Sequence, residues 1–134
     1  VDSHKKLPIV TRSKKYLLKN DFVTFKNKKS IFAMTAHVLY KNFDSINCAT
    51  HSSKIIDLIR NKILFKNLIM SDDLSMKSLK HSISDNTKKA FTAGCNLVLH
   101  CNGNYKEMID VAKTSPIINK FILKKTSQFR DIIS

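Results

Sequence analysis

The sequence predicts an α/β fold built on a parallel sheet, and two observations carry that prediction. Three short apolar runs, at residues 31–38, 68–70 and 96–100, are near-continuous rather than alternating, the pattern of strands covered on both faces. Their starting points lie 37 and 28 residues apart, room for one helix in each interval, and such alternation implies right-handed crossovers between parallel strands.

Residues 1–10 are polar and read as an extended loop, like the segment that follows a strand the chain does not contain. A helix over residues 13–26 is marked by Leu17, Leu18, Phe22 and Phe25, and leads into the first apolar run. Ser52 or Ser53 can cap the next helix, whose apolar stripe is Ile55, Ile56, Ile59 and Ile63. After the second run, Asp85 or Asn86 opens a helix through Ala93, and Gly94 sits where a left-handed cap is wanted. The third run is followed by a short helix over residues 105–113, which Pro116 ends from outside. A last helix at 117–133 carries Ile118, Phe121, Ile122, Phe129 and Ile132 among basic residues. The predicted order is αβαβαβαα. The sequence shows no internal repeat and no low-complexity segment.

The 134 residues suit one domain, and the 43% hydrophobic content is enough to bury a core. No apolar run reaches the ~20 residues of a membrane-spanning helix, and no signal-like segment follows Val1. With 24 Lys plus Arg against 10 Asp plus Glu, the formal charge is +14, which first suggests a polyanion partner. Lys outnumbers Arg 21 to 3, however, and the lysines are scattered from Lys5 to Lys125. Nucleic-acid readers gather charge on one face and use arginine forks, so the excess reads as solvated surface. A basic, nonenzymatic module for nucleic acid or anionic surfaces is the alternative reading, and it rests on charge alone. Cys48, Cys95 and Cys101 are odd in number without C-x-x-C spacing, which fits free thiols in a reducing compartment. The five histidines show no metal-ligand pairing.

Chemistry in such sheets gathers at the C-terminal ends of strands. Those ends read Thr35-Ala36-His37, then Ser71-Asp72-Asp73-Leu74-Ser75-Met76, then His100-Cys101-Asn102-Gly103-Asn104. A pair of carboxylates, Asp72 and Asp73, at a strand terminus stands out in a chain with ten acids. One can face a site while the other caps the following helix, and capping by both is an equal alternative. Asp2-Ser3-His4 is the second candidate: residues i and i+2 of an extended segment share a side, so the carboxylate can orient the imidazole as an acid/base dyad. There is no glycine-rich phosphate loop and no nucleophile elbow.

Together these segments resemble bacterial β-N-acetylhexosaminidases of glycoside hydrolase family 3, in particular the subgroup active on peptidoglycan fragments. Val1-Asp2-Ser3-His4 with Leu7-Pro8 is similar to that family's acid/base loop. Met34-Thr35-Ala36-His37-Val38 resembles its sixth-strand motif, Ser71 to Lys77 its nucleophile motif, and Ala93 to Asn102 its eighth strand. The resemblance implies a partial (β/α)8 TIM barrel, roughly its last three βα units, in one incomplete catalytic domain over residues 1–134. The motifs fall within 1–104, and 105–134 form a helical tail. It also implies a retaining two-step reaction, with Asp72 as nucleophile, His4 as general acid then base, and Asp2 orienting His4. Asp73 is expected to support the loop, and His37 and Met76 to line the substrate pocket. The implied substrate is a muropeptide or oligosaccharide bearing terminal β-linked N-acetylglucosamine, handled in the cytoplasm without metal or organic cofactor and without a membrane or nucleic-acid partner. Three departures stand out. The chain is about half the length of a ~250-residue barrel, so a complementary N-terminal half is an expected partner and the chain alone is expected to be inactive or weak. Asn96 stands where the family commonly has Asp, and Cys48-Ala49-Thr50-His51 where it usually reads Pro-Ala-Thr-Leu.

Overall fold

A computed structural model describes residues 5–134. Strands β2 (Phe32–Met34), β4 (Leu68–Asp73) and β5 (Leu97–Leu99) form a sheet in that order, parallel throughout. Two further strands, β1 (Ile9–Val10) and β3 (Leu39–Tyr40), pair in parallel as a separate small sheet. The parallel βα alternation expected from the apolar runs is therefore present, but its first run divides. The strand ends at Met34, and residues 35–38 leave the sheet as a loop that leads into β3. The segment expected to be loop before Thr11 is partly strand. The Leu39 N–H donates to the Pro8 carbonyl (2.9 Å) and the Lys41 N–H to the Val10 carbonyl (3.0 Å), pairing that suits the β-branched Ile9 and Val10.

The first helical segment begins as α1 (Lys14–Tyr16), with Ser13 Oγ accepting the Tyr16 N–H. It loosens into a π turn at Leu17–Asp21 and tightens to a 3-10 turn at Phe22–Phe25. Leu17, Phe22 and Ile63 form a small core beneath it. Helix α2 (Ser53–Asn61) is capped by Ser52. Helix α3 (Ile83–Ala93) starts ahead of the expected Asp85 or Asn86. Ser82 is the cap, accepting the Asp85 N–H (3.1 Å) and donating to the Asp85 carboxylate (2.7 Å), a reciprocal arrangement that makes Asp85 a first-turn residue. Gly94 ends α3 at φ +112°, the positive-φ cap the sequence indicates.

The main core lies between the sheet and α2 and α3. Ile56, Phe65, Ile69, Leu74, Ala90 and Ala93 are buried there, with Ala33 and Val98 packed against them. Helix α4 (Tyr105–Thr114) follows β5, and α5 (Lys120–Ile133) ends near β2, where the rings of Phe129 and Phe32 meet edge to face at 5.0 Å. An apolar cavity of about 360 Å³ opens between β2, the 14–25 helical segment and α2, lined by Phe22, Phe25, Phe32, Met34 and Phe65 among others. Among the described residues, β2 pairs only with β4 and keeps one edge free, and no helix is long and apolar enough to cross a membrane.

Candidate active site

The C-terminal end of β4 carries the carboxylate pair, and the ladder is irregular just there. Met70 pairs with Leu97 and Asp73 with Leu99, so β4 uses three steps where β5 uses two. Such a bulge re-aims side chains and is common beside active sites. The Leu99 N–H donates to Ser71 Oγ (3.0 Å), so a side chain takes up the hydrogen bond at the slipped register. Ser71 is fully buried.

The two carboxylates have different duties. Asp73 Oδ1 accepts the Ser75 N–H (2.9 Å) and the Cys101 N–H (3.1 Å), and Ser75 Oγ reaches both of its oxygens at 2.8 Å. Burial works against its charge, but these donors and the nearby His100 outweigh burial and hold its carboxyl below the usual range. Asp73 thus ties the β4 turn to the loop after β5. Asp72 accepts the Asp73 N–H at Oδ1 (2.8 Å) and is partly exposed.

His37 lies beneath this turn and is fully buried. Its Nε2 is 2.9 Å from the Asp73 carbonyl, and a carbonyl only accepts, so Nε2 carries a proton. Nδ1 is 2.9 Å from Thr50 Oγ1, which lies 2.9 Å from Thr35 Oγ1. Both ring nitrogens are committed to the protein, so His37 supports the turn from below rather than facing outward. Met76 is also buried. Sequence reasoning missed Thr35 and Thr50, whose hydroxyls complete this buried chain.

Asp44 braces the same loop region. It accepts the Ile46 and Asn47 N–H groups (3.0 Å each) and the Ser52 hydroxyl (2.8 Å). Burial opposes its ionisation, but these donors lower its carboxyl to about 2. On the other flank, His100 Nε2 contacts Glu107 Oε2 at 2.8 Å, and Asn102 Nδ2 donates to the same oxygen. This holds the β5 loop against α4, and the hydrogen bond from His100 keeps the Glu107 carboxyl low. The proposed dyad of Asp2 and His4 lies outside the described residues. Among the described residues, no group of three or more His, Cys, Asp or Glu could hold a metal ion.

Parallel strands alternating with helices, with a carboxylate pair at a bulged C-terminal end, make an α/β unit of the kind from which (β/α)8 barrels are built. The profile of the glycosyl hydrolase family 3 N-terminal domain matches residues 1–128, and the chain belongs to that family. It is similar to a beta-hexosaminidase from Psychromonas ingrahamii, 31% identical over 98% of this chain and 39% of that protein. A beta-hexosaminidase from Haemophilus influenzae is 34% identical over 75% of this chain and 30% of that protein. Among solved structures, native NagZ from Neisseria gonorrhoeae superposes with a TM-score of 0.76 at 30% identity, over 92% of this chain and 36% of that one. A family 3 beta-N-acetylglucosaminidase from Paenibacillus gives a TM-score of 0.77 at 25% identity, over 85% of this chain and 23% of that one. The chain spans well under half the length of these relatives.

Proposed function

We propose that the chain is the nucleophile-bearing part of a retaining β-N-acetylhexosaminidase. The observation that carries this reading is the division of labour at the end of β4: Asp73 is consumed by Ser75 and Cys101, whereas Asp72 is left partly open beside it. Asp72 attacks the anomeric carbon and forms a glycosyl ester as the leaving-group oxygen takes a proton from His4. His4, oriented by Asp2, then removes a proton from the water that cleaves the ester. His37 is a positioning residue for the Asp72–Asp73 turn, in which the Met76 N–H donates to the Asp73 carbonyl. The substrate class is oligosaccharide or muropeptide with terminal β-linked N-acetylglucosamine, and the compartment is the cytoplasm. Residues 1–134 act as one incomplete catalytic domain. The apolar cavity beside the free edge of β2 is where a complementary N-terminal half of the barrel docks.

The test is release of nitrophenol from its N-acetylglucosaminide, by the chain alone and after mixing with the N-terminal portion of a homologous barrel. Little or no release is expected from the chain alone, because positioning supplies ~7–11 kcal/mol of a barrier. Activity after mixing, lost in Asp72→Asn, supports the reading. Activity that survives Asp72→Asn overturns it.

A further inference from the structure

The buried hydroxyls behind the β4 turn form a proton chain with a direction, and the direction decides which form of His37 holds the turn. Thr35 follows β2, where its N–H donates to the Met70 carbonyl of β4 (2.9 Å), and Thr50 lies in a 3-10 turn at Ala49–His51. Their hydroxyl oxygens are 2.9 Å apart, and Thr50 Oγ1 is 2.9 Å from His37 Nδ1. All three side chains are buried, so each hydroxyl proton goes to a protein acceptor.

The competing acceptors are weaker or already served. The Ala36 carbonyl, 3.3 Å from Thr50 Oγ1, takes the Val38 N–H at 2.9 Å. At the far end the Cys95 thiol lies beside Thr35. Burial pushes that thiol up to about 12, so it keeps its proton and donates it to the Thr50 carbonyl (3.8 Å). Its sulfur is a weak acceptor, which leaves Thr50 Oγ1 as the better place for the Thr35 proton. The Thr50 proton is then free for Nδ1. Across the ring, Nε2–H and the Met76 N–H (3.2 Å) both donate to the Asp73 carbonyl. The opposite neutral tautomer would set lone pair against lone pair there, and an imidazolium would bury a charge between partners that carry none.

We propose that Thr50 and Thr35 are positioning residues for the nucleophile. Their hydroxyls, donating from Thr35 to Thr50 and from Thr50 to His37 Nδ1, fix His37 as the neutral Nε2–H tautomer that holds the Asp73 carbonyl and the turn on which Asp72 stands. The part of this that concerns catalysis rests on the reading of Asp72 as nucleophile. The tautomer itself does not.

The experiment reads the His37 ring by nitrogen NMR in the isotope-labelled chain at neutral pH, beside the Thr50→Val and Thr50→Ser variants. A single ring proton, on Nε2, is expected in the parent chain. In Thr50→Val the ratio of the Nε2–H to the Nδ1–H form is expected to fall about tenfold, as for the loss of one buried hydrogen bond, and Thr50→Ser should restore it. In the barrel mixed from the two portions, Thr50→Val is expected to lower kcat about a hundredfold while KM for the nitrophenyl substrate stays near the parent value, again with rescue by serine. A parent ring protonated at Nδ1, or at both nitrogens, overturns the proposal, and so does an unchanged tautomer or an unchanged kcat in Thr50→Val. If that variant does not fold by circular dichroism, Thr35→Val, which removes the donor one step back, is held to the same directions of change. Failure of the underlying reading looks different: activity that survives Asp72→Asn takes Asp72 out of the reaction and leaves no nucleophile for the threonines to position, whatever the tautomer.

Discussion

At Asp72 and Asp73, adjacent residues of one chemical type are separated by what donates to them. The Asp73 carboxylate is bonded by Ser75 and Cys101, so Asp73→Ala is expected to lower unfolding free energy by about 1–3 kcal/mol. Asp72→Ala should change stability by no more than about 0.5 kcal/mol, while abolishing turnover in the reconstituted barrel. Chemical denaturation of the two variants side by side checks this. Asp44 gives a pH-dependent case. Its folded value of about 2 lies below the ordinary 3.8, so its ionised form stabilises the fold above roughly pH 4, and that contribution disappears as pH falls towards 2. The shift corresponds to about 2 kcal/mol. Asp44→Asn should therefore melt well below the parent chain at pH 7, and the gap should close in acid. A gap that persists at the lowest pH would contradict this assignment.

At the level of elements, the three strand positions and the Ser52 and Gly94 caps were legible because they follow local rules, whereas the first run divides after Met34 and α3 is capped by Ser82 rather than Asp85 or Asn86. Gly94 was readable as a C-cap, and it is one: a Cβ there would sit 2.9 Å from Ile56 Cγ2 at φ +112°. Gly94→Ala is expected to cost about 2 kcal/mol in a thermal melt. The bulge in β4 and the β1–β3 pairing were not legible, because both depend on partners distant in sequence. Asn96 is a third case. Its Oδ1 accepts the Ile69 N–H (2.9 Å) and an N–H from Arg60 Nη2 (2.8 Å), so a neutral amide holds both donors. Asn96→Asp would make both bonds charge-assisted, and a gain of about 1 kcal/mol is expected from calorimetry. The acid pair and a supporting role for Asp73 were readable in the sequence, whereas the donors that hold Asp73 were not all readable, since the Cys101 amide is 28 positions away.

For the molecule as a whole, the three parallel strands and their helices could be read from periodicity. The assignment of His37 to a pocket wall could not be checked against its burial until Thr50 and Asp73 were seen around it. Phe25 and Met34 are more than half exposed beside the free strand edge, so the isolated chain should self-associate with rising concentration. Sedimentation should show a shift that the N-terminal barrel half suppresses. The small β1–β3 sheet has a consequence of a different kind. It fastens Ile9 to Leu39, on the segment that also carries His37 and Thr50. Two short strands thus act as a clasp: unfastening them would release the start of the described chain from the loop that carries His37.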